Sequence, residues 1–185
     1  MRAQKYRGYT LTEMLIVIAL LGMVATIAIP ADNNNDELKL DRAAAEVASA
    51  FRFARSEAIR TGEGHGLTVS QSTQKVTVKK YDISVVPIST LSTLTHPVDK
   101  QPYDFNVNTN KATAGVTISN STDIFNYGSE GRRRSLIFDE NGVPIWIIGS
   151  DPTRHLLVDG IVELTYGNQQ RRLEVSAMTG RVTVQ

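Results

Sequence analysis

Cysteine is absent from the 185 residues, which removes thiolate metal sites, thiol nucleophiles and redox motifs from consideration. The lack of disulfides excludes little else, because a chain of this length can bury a core without them. Neither sign of charge is in excess: 20 basic side chains face 19 acidic ones. A surface devoted wholly to nucleic acid is thereby ruled out, and any grip on a polyanion must come from local clustering. Histidine is scarce. His65, His96 and His155 stand far apart, and none has metal-ligand spacing to another. Gly62-Glu63-Gly64-His65-Gly66 is rich in glycine yet lacks the Lys-Ser/Thr of a phosphate loop, so it reads as a helix stop followed by a strand. Ser135 and Ser176 have no adjacent base in the sequence, and Asp139-Glu140 reads as a pair of solvated turn-capping groups. These absences point away from an enzyme, and no catalytic residue, metal site or cofactor is expected. No internal repeat is visible.

What is present begins at the amino terminus. Residues 14–29 carry no charge, and only Gly22 and Thr26 interrupt the apolar run softly. With residues 9–12 before it and Pro30 after, the segment reaches about 20 residues, the length that crosses a bilayer core as a helix. Arg2, Lys5 and Arg7 precede it, predicting a cytoplasmic start with the rest of the chain translocated. Removing those three turns the charge balance slightly acidic. A secretory signal peptide removed whole is the alternative, but Ile29, Pro30 and Ala31 make a poor small-x-small cleavage site. Pro30 is expected to bend or loosen the helix. The unusual residue is Glu13, a carboxylate at the edge of an apolar helix, expensive unless it meets a partner.

Gly8-Tyr9-Thr10-Leu11-Thr12-Glu13-Met14-Leu15 resembles the processing motif of type IV prepilins and pseudopilins. The resemblance implies that a prepilin peptidase cuts between Gly8 and Tyr9 and that the new amino terminus, on Tyr9, is methylated. Tyr9 stands where the family usually has phenylalanine. Glu13 would then pair with the terminal ammonium of a neighbouring subunit and set its registry, since two buried charges are tolerated only together.

Residues 31–36 are polar and rich in capping side chains, marking a break or the start of a second helical segment. From Glu37 to about Arg60 the period is helical. Leu40, Ala44, Val47, Phe51, Ala54 and Ala58 form one apolar stripe, with Arg42, Glu46, Arg52 and Arg55 off it. Gly62 and Gly64 are expected to end this helix. Within it, Ala54-Arg55-Ser56-Glu57-Ala58 is similar to a stretch of the GspH/FimT group, the minor pseudopilins of type II secretion and minor pilins of type IV pili.

Beyond Gly64 the period becomes alternating. Residues 66–70 and 75–79 predict a hairpin, and residues 116–119 a short strand. Residues 136–138 and 143–148 predict a second hairpin closed by a tight Asn141-Gly142 turn, with Pro144 at an edge or at the beginning of its strand. Residues 161–166, 173–176 and 181–184 complete the set, with turns at Gly167-Asn168 and Thr179-Gly180. The stretch 87–134 is broken by Pro87, Pro97 and Pro102 and is the hardest to read; a loop of that size is expected to hold short strands.

The organisation expected is a leader (1–8), a transmembrane and filament-core helix (9–30), its amphipathic continuation (31–61) and a β-rich globular domain (62–185). The fold class is α+β: a long amino-terminal helix packed on an antiparallel sheet, which the resemblance identifies as pilin-like. The resemblance implies a non-enzymatic minor pilin or pseudopilin that primes or caps a type IV pilus or secretion pseudopilus. Its partners would be other pilin subunits, the prepilin peptidase and an inner-membrane assembly platform. It would sit in the bacterial inner membrane before assembly and in the pilus or periplasmic pseudopilus afterwards.

One alternative stays open. Arg132-Arg133-Arg134 is the densest basic run outside the leader, and Arg171, Arg172 and Arg181 add to the carboxy-terminal half. Clustered guanidinium groups could hold the phosphates of DNA. The competing reading is a solvated charge run balanced by Glu130, Asp139 and Glu140. Some FimT-like members act as DNA receptors in natural transformation and carry a Gly-Arg-x-Arg signature. Here Gly180 and Arg181 match it, and Thr183 stands at the second arginine.

Overall fold

The computed structural model describes residues 9–28, 34–119, 123–148 and 151–185. The expected leader, its Gly8 and the bend at Pro30 lie outside the described residues. Helix α1 covers Leu11–Ala28. Among the described residues no helix is long and apolar enough to cross a membrane. With 18 residues, α1 rises about 27 Å, short of the roughly 30 Å of a hydrocarbon core.

Helix α2, Asn34–Thr61, carries Asp36 and Glu37 in its first turn and Arg60 in its last, the polarity its macrodipole favours. The structure divides into two compact units between Asn34 and Asn35, and α2 belongs with the strands. Its expected stripe is buried: Leu40, Val47, Phe51, Ala54 and Ala58 are fully covered, and Ala44 nearly so. Ala43, Ala48 and Ala50 widen the face; their short side chains let the helix lie close to its neighbours. The helix stops at Gly62, which takes a positive φ of 70° and returns its N–H to the Ala58 carbonyl at 2.9 Å. Gly64 has no part in that stop, contrary to expectation. It opens the first strand, where a β-carbon would strike the Ile83 side chain.

The strands are β1 Gly64–Ser70, β2 Lys75–Asp82, β3 Ser89–Thr93, β4 Asp104–Asn106, β5 Thr117–Ile118, β6 Phe125–Asn126, β7 Arg132–Arg133, β8 Ser135–Phe138, β9 Pro144–Ile148, β10 Asp151–Leu156, β11 Asp159–Tyr166, β12 Gln169–Val175 and β13 Val182–Val184. They form two antiparallel sheets rather than one. The first runs β10-β9-β8-β1-β2-β3, with β4 sharing the outer edge of β2. The second runs β13-β12-β11-β6-β7, with β5 beside β6 on β11. One core joins both sheets to α2. Phe51 meets Phe125 edge-on at 6.0 Å, and Phe53 lies 5.3 Å from Tyr103. Alternation explains the inward side chains: Val162 and Leu164 of β11 are fully buried, while their neighbours are partly exposed.

Several expectations change in detail. Among its described residues the stretch 87–134 holds β3 to β7 and a 3-10 turn at Gly128–Glu130. These strands are two to five residues long, too short to show a period. Strand β10 lies in a stretch for which the sequence pattern predicts no element. Pro144 begins β9, which is interior, flanked by β8 and β10. The β8–β9 connection is not a tight Asn-Gly turn. Only Gly142 takes a positive φ, 74°, and the loop is organised by a buried side chain. Asp139, 5% exposed, accepts through Oδ1 from the N–H groups of Asn141 and Val143, each at 2.9 Å. Asp139 is therefore not the solvated group its turn position suggested.

Candidate functional site

At the start of α1, Thr10 acts as the cap. Its carbonyl accepts from the N–H groups of Glu13 (3.1 Å) and Met14 (3.2 Å), and its Oγ1 accepts from the Glu13 N–H at 3.3 Å. This places Glu13 in the first turn, where the helix dipole favours a negative charge. Tyr9 is 77% exposed. The described side chains of α1, through Met23, are all exposed. A helix that is apolar on every side and uncovered needs lipid or protein around it.

The arginines singled out in the sequence are mostly engaged, but not by the acids expected. Arg132 reaches Asp159 at 3.3 Å, Arg134 approaches Asp123 at 3.6 Å, and Arg133 lies over the Trp146 ring at 5.9 Å. Asp139 and Glu140 are instead taken by Arg154, at 3.3 and 2.9 Å, and Glu130 faces His155 at 3.9 Å. The Arg154 guanidinium holds the Glu140 carboxyl below its ordinary range. Arg172 grips Glu163 at 2.6 Å. Arg171 grips Glu37 at 3.1 Å and Asp41 at 2.7 Å. Of the six, Arg133 and Arg181 make no ion pair among the described residues.

Arg181 lines a different feature. A groove of about 790 Å³ lies between the carboxy-terminal half of α2 and the β12–β13 turn. Arg52, Arg55, Arg60 and Arg181 surround it, with Ser56, Ile59 and Thr179. Two glycines shape it. Gly180 has a φ of 62°, and a β-carbon there would sit 2.6 Å from the Gly142 carbonyl oxygen. That same carbonyl accepts from Arg55 Nε at 3.1 Å. Sequence reading missed the groove because its walls are about 120 positions apart. The usable signal was that Arg52, Arg55, Ser56 and Ile59 fall on one helical face outside the core stripe.

A further cluster lies on the β2–β4 side. His96 meets Tyr103 edge-on at 4.4 Å and pairs with Asp99 at 3.1 Å, and Asn110 donates to Glu46 at 3.4 Å. Burial raises the Glu46 carboxyl above its ordinary value, against the opposing pull of His96. Burial also pushes the Tyr103 hydroxyl up to about 12. Among the described residues no three His, Asp or Glu side chains gather where they could hold a metal ion.

Helices at the amino terminus followed by antiparallel strands make the molecule an α+β protein. The prokaryotic N-terminal methylation motif matches residues 3–29. The family described as type II transport protein GspH matches residues 43–180, and the chain belongs to that family. It is 42% identical over 84 residues to a fimbrial protein of Pseudomonas aeruginosa, covering 45% of this chain and 49% of the other. It is 43% identical over 63 residues to the pilin-like protein PilA1 of Thermus thermophilus, covering 34% and 40%. The chain thus spans half or less of the curated relatives it matches. Among solved structures it is similar to the type IV minor pilin FimU of P. aeruginosa, with 16% identity and a TM-score of 0.44 over 79% of this chain and 87% of that one.

Proposed function

We propose that this chain is a non-enzymatic minor pilin or pseudopilin that primes or caps a type IV pilus or a type II secretion pseudopilus. Prepilin peptidase removes the leader after Gly8, and Tyr9 becomes the methylated terminus. Residues 9–30 hold the product in the inner membrane with its carboxy-terminal unit translocated, and an assembly platform there passes it to other pilin subunits. The observation that carries this reading is Glu13 in the first turn of an apolar helix whose described side chains are uncovered. Glu13 takes the terminal ammonium of a neighbouring subunit as its partner, because a lone charge among packed apolar helices is unaffordable.

The competing role, a DNA receptor, draws less support. Arg132, Arg134, Arg171 and Arg172 already pair with carboxylates, and each pair would have to open to free a guanidinium for phosphate.

The test is Glu13→Ala in cells. Membrane fractionation should find the variant inserted as before, while its recovery in sheared filaments or the pseudopilus falls steeply. Unchanged incorporation would sink the proposal.

A further inference from the structure

The groove between α2 and the β12–β13 turn is lined by four guanidinium groups and no carboxylate. The arginines are differently committed. Arg60 is held by Glu57 through bonds of 3.0 and 2.6 Å. Arg55 spends Nε on the Gly142 carbonyl and keeps its terminal amino groups. Arg52 and Arg181, both exposed, make no ion pair among the described residues. Arg52 stands on α2 and Arg181 just beyond the β12–β13 turn, so the two reach the space from opposite walls.

Two like charges turned toward one space repel each other, and the arrangement gains most from an anion between them. Nearby hydroxyls of Ser56 and Thr179 can complete its hydrogen bonds.

The second observation is Ile59. It lines the groove among these cations and is 48% exposed, whereas the apolar residues of the α2 stripe are covered. Gly142 and Ile59 pack closely, since a β-carbon on Gly142 would lie 2.7 Å from Ile59 Cδ1. The tip of the isoleucine therefore rests against the β8–β9 loop. Arg52 and Ile59 are seven residues apart on α2, a rise of about 10 Å, which an extended peptide spans with about three residues. A phosphodiester backbone would set charge against Ile59 and leave it without an apolar contact. A peptide can offer carboxylates to Arg52 and Arg181 and an aliphatic side chain between them.

We infer that this groove is a docking site for a short peptide segment of another protein, one in which carboxylates flank an aliphatic side chain. The site is independent of Glu13 and of the role proposed above. It lies on the compact unit that begins at Asn35, at the end of α2 opposite its acidic first turn.

The test uses the full-length protein in detergent micelles and fluorescence anisotropy. The probes are labelled Glu-Glu-Leu-Glu-Glu, its charge-matched counterpart Glu-Glu-Ser-Glu-Glu, and a short duplex DNA. The leucine peptide should bind more tightly than the serine peptide, and added salt should weaken both. Arg52→Gln and Arg181→Gln should each weaken the leucine peptide about tenfold, a loss of about 1.4 kcal/mol. Ile59→Ser should abolish the preference for leucine over serine. Thermal melts matching the parent protein would show that the variants remain folded, and Arg172→Gln, outside the groove, should bind as the parent does. The inference is overturned if neither peptide binds, if the duplex binds more tightly than both, or if folded Arg52 and Arg181 variants bind unchanged.

Discussion

Arg171 of β12 donates through Nε to Oδ1 of Asp41 on α2 at 2.7 Å. The same guanidinium reaches Glu37 one turn earlier, at 3.1 Å, so one side chain ties the beginning of α2 to the second sheet. The Arg171 side chain is 25% exposed, but Asp41 and Glu37 are 51% and 57% exposed, so solvent screens both pairs. Arg171→Ala should cost about 0.5 kcal/mol and should speed hydrogen exchange in the first turns of α2 more than in β12. Equal exchange in the two elements would show that the pair does not hold the helix start.

Asp139 governs the β8–β9 loop through two backbone N–H groups and Arg154. Removing the carboxylate in Asp139→Ala leaves those part-buried donors without their acceptor, at a cost of about 1–2 kcal/mol, read as a shift of the urea midpoint. Asp139→Asn keeps an acceptor oxygen and should lose less. Equal losses would mean that the charge on Arg154, and not the loop hydrogen bonds, sets the energy.

Glu46 should respond to pH in the opposite sense to most acids. Burial raises its folded-state value above that of the unfolded chain, so the fold binds this proton more tightly. The resulting stability is fully present below the unfolded value and fades as pH rises through the folded one. Near neutral pH the ionised carboxylate is a liability. Glu46→Gln still accepts from Asn110 and should raise Tm by roughly 1–3 °C near pH 7, with the gain vanishing below about pH 4. A lower Tm near pH 7 would mean that attraction to His96 outweighs desolvation.

Processing makes its own prediction. Replacing Gly8 with a bulky residue should leave the leader attached, and mass measurement of the purified product should find residues 1–8 retained. A product beginning at Tyr9 despite the substitution would remove the cleavage assignment.

Much of the fold could be read from local pattern. The α2 stripe from Leu40 to Ala58 repeats at helical spacing, and every member is buried. The β1–β2 hairpin pairs Leu67 with Val78 and Val69 with Val76, the alternation visible in the sequence. Strand β5 falls within the stretch 116–119 expected as a short strand, but β4, β6 and β7 were not legible, because two or three residues cannot display a period and their pairing depends on which edge they reach. The Asn141-Gly142 turn misled for a similar reason. Its dipeptide has a local preference, but the buried Asp139 carboxylate offered the backbone stronger partners.

By itself, the sequence determined the elements that a few neighbouring residues encode: the charge-free run of α1, Glu13 near its start, the amphipathic α2 and the alternating strands. Only the tertiary structure decided which charges meet. It sent Arg154 rather than the Arg132–Arg134 run to Asp139, gave Arg171 to Asp41, and left Arg52 facing Arg181 across a groove. Periodicity and capping act over a turn or a strand, whereas charge pairing and groove walls depend on the order in which strands pack, and that order is set by the whole core.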